Sequence, residues 1–145
     1  MRVEQLDHIH IVVKDLQKAV NFFEKFLGIK FDDNIQVEGW DAISRIAAIG
    51  PIGIELIQPT SATSIFAKFI EQRGEGVQAL SLKVPDIEEA KAEMQAKGMK
   101  LVSTYSMGRI KEAHFHPKDT FGVLFELCEY QAVHGASLAC HEQER

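Results

Sequence analysis

The chain of 145 residues has two cysteines, Cys128 and Cys140, both close to the C-terminal end, and two thiols so placed cannot form a disulfide framework. No apolar stretch approaches the ~20 residues that cross a bilayer as a helix. The start, Met1-Arg2-Val3-Glu4, lacks the charged and then apolar pattern of a signal peptide, so a cytoplasmic location is expected. A basic balance is missing too. Sixteen Lys and Arg stand against 21 Asp and Glu, a formal charge of −5, which argues against phosphate-backbone binding. No glycine-rich phosphate loop is present. What the chain has is 46% hydrophobic and 26% charged residues, the balance of a soluble domain with a core. These absences exclude nucleic-acid and membrane partners without naming a function.

The sequence is written twice. Leu6–Val13 alternates as a strand, with His8, His10 and Val12 on one face and Ile9, Ile11 and Val13 on the other. Asp15 then stands at a helix N-cap position, Leu16, Val20, Phe23 and Leu27 recur at helical spacing, and Gly28 is the expected stop. From Gln78 the pattern recurs: a strand to Val84, Asp86 as N-cap with Glu89 three residues on, an apolar stripe of Ile87, Ala90 and Met94, and Gly98 as the stop. Asp15 maps onto Asp86 at an offset of 86 − 15 = 71, and Val13 onto Val84 at the same offset. Short strands are expected near Ile29–Phe31, Asp41–Ala48 and Ile52–Ile57, then near Lys100–Thr104, Ile110–His116 and Val123–Cys128. A short helix with Ile65, Phe66, Phe69 and Ile70 as its apolar side links the halves. The expected fold is α+β: two tandem βαβββ modules, about 5–58 and 77–129, forming a cup-shaped mixed sheet, with a linker helix at about 61–74 and a polar tail from 130.

Strand parity then sorts the polar residues. Glu55 and Glu126 sit inside the apolar runs Ile54-Glu55-Leu56 and Phe125-Glu126-Leu127, and 126 − 55 is again 71. A carboxylate drawn into an apolar strand needs a cation, a metal or a donor. His8 and His10 lie on the polar face of the first strand, and His114 and His116 point with Glu126. A hairpin turning at Pro117–Gly122 brings His114 beside Glu126, whereas His116, next to Pro117, reads as structural. The set His8, Glu55 and Glu126 suits a divalent first-row metal with positions left open for a substrate.

These residues resemble the vicinal oxygen chelate superfamily of glyoxalase I, extradiol dioxygenases, bleomycin-resistance proteins and methylmalonyl-CoA epimerase. The opening module is carried by Asp7-His8-Ile9, Val13-Lys14-Asp15-Leu16, Phe22-Phe23 and Leu27-Gly28. The epimerase branch is most similar, through Glu55-Leu56-Ile57-Gln58-Pro59, Arg73-Gly74-Glu75-Gly76, and His116-Pro117-Lys118-Asp119 before Gly122–Leu127. The resemblance implies metal ligands at His8, Glu55 and Glu126 and a fourth, histidine, at position 79, where this chain has Ala79. Three explanations stay open: another side chain replaces the ligand, with His10, His114 and Gln78 as candidates and His114 preferred; three ligands and water suffice; or the site has become a metal-free binding pocket.

The implied chemistry is metal-assisted isomerisation or epimerisation, or a related lyase reaction, of a small acyl thioester through an enolate. The divalent ion would be Co, Mn, Ni, Zn or Fe. Glu126, Glu55 and Glu38 are the candidate catalytic carboxylates, and Trp40, His10 and Gln78 the candidates for contacting a small-molecule substrate. A non-catalytic small-molecule binding protein and an extradiol-type dioxygenase are the alternatives. The resemblance also implies a homodimer.

Overall fold

The computed structural model describes residues 1–37 and 39–131. Eight strands and three helices follow in the order β1 (Gln5–Val12), α1 (Leu16–Leu27), β2 (Ile35–Val37), β3 (Ala42–Ile49), β4 (Ile52–Pro59), α2 (Ile65–Arg73), β5 (Gly76–Lys83), α3 (Ile87–Ala96), β6 (Leu101–Met107), β7 (Ile110–Phe115) and β8 (Leu124–Glu129). Two compact units result, Ile9–Gln78 on the one hand and Met1–His8 with the chain from Ala79 on the other, so that β1 is divided between them. No helix among the described residues is long and apolar enough to cross a membrane.

In the Ile9–Gln78 unit the strands neighbour one another in the order β2-β3-β4-β1, with β2/β3 and β3/β4 antiparallel. The Asp15 side chain accepts from Lys18 N at 2.9 Å and starts α1, and Gly28, at φ +66°, ends it in the left-handed conformation that glycine adopts without strain. Leu16 and Val20 of the helix bury against Val13, Ala47 and Leu56. The other sheet face carries Val12, Ala42 and Ile57, closed by Phe66 of α2.

The second unit repeats this design. Its strands run β5-β8-β7-β6, with β5/β8 parallel and the other pairs antiparallel, and Glu4 N donates to Lys83 O where the start of β1 joins β5. Asp86 caps α3 by accepting from Glu89 N at 2.9 Å. Ile87, Ala90 and Met94 pack on Ala113, Phe115 and Leu127.

Two expectations are corrected. The strand placed at Ile29–Phe31 is absent; β2 lies later, at Ile35–Val37. Phe31 is instead a core residue whose ring meets Phe23 edge-on at 5.8 Å, and Arg45 binds the carbonyls of Phe31 and Asp32, which a strand would have paired. Ile65 belongs to the exposed side of α2, because Phe66 takes the buried position.

Candidate functional site

The site in the unit containing Ala79 and beyond grows from the cross-strand register. His114 on β7 faces Glu126 on β8, which faces Ser81 on β5. Glu126 is 2% exposed and gathers three side chains. Ser81 Oγ donates to Oε1 at 2.7 Å, His8 Nε2 stands 3.3 Å from Oε1, and His114 Nε2 stands 3.1 Å from Oε2. Glu112, one pleat from His114 on the same face, brings a carboxylate oxygen to 3.7 Å from His114 Nε2. Ligand atoms of Glu112, His114 and Glu126 all lie within 4.8 Å of one another, a grouping able to hold a metal ion.

The far side of each imidazole is held as well. His8 Nδ1 is 2.7 Å from Asp7 Oδ2, and His114 Nδ1 is 3.1 Å from Ser103 Oγ. Asp7, 1% exposed, accepts in turn from the hydroxyl of Tyr130 and, at 3.4 Å, from Gln5 Nε2. Lys83 Nζ lies over the Tyr130 ring, 4.5 Å from its centre. Burial first, and then the hydrogen bond to Asp7, push the Tyr130 hydroxyl well above the ordinary tyrosine range. Burial also pushes the Cys128 thiol far up, reinforced by the negative charges of Asp7 and Glu126. Ala79 is fully buried on the same strand as Ser81, two residues along, and faces Leu124.

The Ile9–Gln78 unit contains a second histidine–carboxylate pair. His10 Nε2 is 3.3 Å from Glu55 Oε2, with Glu55 opposite Ile46 in the β3/β4 register. Trp40 stacks on Phe66 with ring centres 5.8 Å apart, next to Val12 and Ala42. The side-chain oxygen of Gln78 is buried and makes no hydrogen bond among the described residues.

Thus His8, His114 and Glu126 come together in one unit, and His10 and Glu55 in the other. His116 caps the Pro117–Asp119 turn, its Nδ1 accepting from Lys118 N at 3.1 Å, as a structural histidine does. Glu38 lies outside the described residues, as does Cys140. Neither strand parity nor the repeat marks Tyr130, Ser81 or Ser103, and Asp7 figures in the resemblance only as part of Asp7-His8-Ile9. For Asp7 a signal was available: an acidic residue inside an apolar strand, adjacent to a candidate ligand, needs a buried partner. Tyr130 gave none, since its partner is 123 residues away.

The folding pattern and the buried histidine–carboxylate pairs define a class, an α+β protein of repeated modules. The sequence model of the Glyoxalase/Bleomycin resistance protein/Dioxygenase superfamily matches residues 7–115, and the chain belongs to that superfamily. It is 30% identical over 131 residues to the uncharacterized protein YqjC of Bacillus subtilis (strain 168), covering 88% of this chain and 93% of that one. Human mitochondrial methylmalonyl-CoA epimerase is 28% identical over 131 residues, covering 85% of this chain and 72% of the enzyme. A structure of a Streptomyces coelicolor methylmalonyl-CoA epimerase variant in complex with 2-nitronate-propionyl-CoA aligns with a TM-score of 0.84 at 25% identity, over 90% of this chain and 100% of that one.

Proposed function

We propose that the protein is a metal-assisted epimerase or isomerase of a small acyl-CoA thioester of the methylmalonyl type. The observation that carries this reading is the buried pairing of His8 with Glu126, backed by Asp7, in a chain related to methylmalonyl-CoA epimerases. The donors fit a divalent ion. They are imidazole nitrogen and carboxylate oxygen, and His8 is oriented through its other nitrogen by a carboxylate, the usual arrangement behind a metal-bound histidine. His8 and Glu126 would hold the ion. When bound, such an ion supplies positive charge for the oxygens of an enolate.

The chain's own groups supply orientation and proton transfer. Asp7 fixes the ring of His8, and Ser81 fixes one oxygen of Glu126. Epimerisation at a carbon flanked by a thioester and a carboxylate requires removal of its proton and its return to the opposite face, with no net change in atoms. Glu55, paired with His10, and Glu38 are the carboxylates we assign to that exchange. The resemblance also gives Glu55 a role as a metal ligand, and Glu55→Gln tests both. Homodimerisation is inferred from the resemblance alone and is checked by light scattering.

The deciding experiment follows deuterium from solvent into methylmalonyl-CoA and related 2-substituted malonyl thioesters, with protein loaded separately with Co, Mn, Ni, Zn and Fe. We expect exchange at the 2-position that is lost on chelation and in Glu126→Gln. Binding of the thioesters without exchange at any metal would overturn the epimerase reading in favour of a binding protein.

A further inference from the structure

We infer that Glu112, His114 and Glu126 form a divalent-cation site of their own between β7 and β8, apart from the His8 side of Glu126 that the reading above uses. The two sides are the two oxygens of one carboxylate. Oε1 meets His8 at 3.3 Å and Ser81 at 2.7 Å, whereas Oε2 meets His114 at 3.1 Å. The inference goes beyond the epimerase reading and does not need it, since it concerns which side chains take up an ion and not what that ion does.

Strand geometry builds the site. Glu112 and His114 stand two residues apart on β7 and so share a face, and the β7/β8 register sets Glu126 opposite His114. Ligand atoms of the three all lie within 4.8 Å of one another. Two carboxylates thus converge on one imidazole nitrogen, with Glu126 at 3.1 Å and Glu112 at 3.7 Å from His114 Nε2. A ring N–H at that nitrogen has one hydrogen and answers one of them, whereas a cation set among the three answers both. Ligand atoms held about 2.0–2.2 Å from one ion at tetrahedral to octahedral angles lie about 2.8–3.6 Å apart. The His114–Glu126 separation falls in that interval, and the half-buried Glu112 has about 0.1 Å to close.

Charge favours the same occupant. Asp7, Glu112 and Glu126 place three carboxylates around the imidazoles of His8 and His114, so the group stays anionic even with a proton on every ring nitrogen. Glu126 and His114 are both buried, where water offsets little of that charge. Ser103 Oγ, 3.1 Å from His114 Nδ1, holds the ring from behind, and a hydroxyl serves there as donor or acceptor. Two carboxylates to one imidazole make a donor set weighted to oxygen, which among first-row ions suits Mn²⁺.

The test counts ions rather than turnover. The full chain, stripped with chelator, is titrated with Mn²⁺, and bound ions are counted by calorimetry and by loss of the free-ion paramagnetic resonance signal. We expect two ions per chain in the wild type and one in each of His8→Ala, Glu112→Gln and His114→Asn. The double variant His8→Ala with Glu112→Gln should bind none. Glu112→Gln keeps the side-chain shape at a half-buried position, so the test stays decisive should His114→Asn lose its native circular dichroism. An ion count and affinities unchanged in Glu112→Gln would overturn the inference, as would a wild type with a single ion that is lost in His8→Ala. Neither result touches the epimerase reading, which stands or falls on deuterium exchange. Two ions bound without exchange into any thioester remove only the epimerase reading. A wild type that binds neither Mn²⁺ nor, in the same titration, Co²⁺ removes both.

Discussion

The hydroxyl of Tyr130 donates to the carboxylate of Asp7, joining the end of the last strand to the start of the first across 123 residues of sequence. Asp7 uses its other oxygen for His8 Nδ1, so one aspartate couples the residue that follows β8 to the aim of a candidate ligand. Asp7→Asn keeps the volume and removes the charge. It should lower Co²⁺ affinity about 10- to 100-fold, the usual cost of losing an outer-shell partner. Tyr130→Phe leaves Asp7 one donor short and should lower unfolding free energy by about 1.5–3 kcal/mol, since the lost bond is to a charged acceptor. Urea denaturation of metal-free protein measures the second effect, and calorimetric titration the first.

Stability should fall on the alkaline side. Tyr130 and Cys128 both hold their protons far above their ordinary values of 10.0 and 9.0, for burial in each case and, for Tyr130, the bond to Asp7. The unfolded chain releases these protons at the ordinary values while the folded chain keeps them. The folded state therefore binds more protons, and stability decreases as pH rises above about 9. Each group contributes at most about 1.4 kcal/mol per pH unit in that window. Melting temperature against pH should thus drop from pH 9 upward, with a shallower drop above pH 10 in Tyr130→Phe. In a Cys140→Ser background, Cys128 should resist thiol reagents at pH 8 until the chain unfolds, because it is buried and neutral. An alkaline profile identical in wild type and Tyr130→Phe would remove the tyrosine contribution.

Trp40 is the chain's single tryptophan, and its stack on Phe66 makes it a reporter of the α2 packing. Phe66 is 2% exposed amid Val12, Ala42 and Ile57. Phe66→Ala should cost about 3–5 kcal/mol through lost burial and the cavity left behind. Its Trp40 emission should move to longer wavelength before global unfolding in urea. Phe66→Leu, which keeps most of the volume, should show a smaller loss and a smaller shift.

How much of this was legible follows from what kind of interaction carries each feature. The offset of 71 placed both aspartate caps, because capping is local: the side chain answers an amide three residues on. It also put Glu55 and Glu126 on the last strands of their repeats, and strand alternation put His114 beside Glu126. The misplaced strand at Ile29–Phe31 failed for the opposite reason. The segment alternates as a strand does, but Arg45, more than ten residues away, binds the carbonyls a strand would have paired. Tyr130 lies in a segment without periodicity, and its burial comes from Asp7, Lys83 and Ile110, all distant in sequence. Ile65 and Phe66 are equally apolar neighbours, and nothing local to the pair decides which of them turns inward.

The two caps offer the most direct measurement of the repeat. Asp15 accepts from Lys18 N and Asp86 from Glu89 N, each at 2.9 Å and each with its own backbone extended, at φ −135° and −143°. Substitution of either by alanine exposes the same kind of unsatisfied first-turn amide and should cost about 1 kcal/mol. Asp86 also begins a helix with Glu88 and Glu89 in its first turn, whereas α1 has no acidic residue there. Those carboxylates still oppose the positive end of the helix dipole in Asp86→Ala, so Asp15→Ala should be the more damaging of the two, by a few tenths of a kcal/mol. Paired urea denaturation of the two single variants measures this order. Because the dipole contribution is screened by salt, the difference should shrink in high salt while the common loss remains.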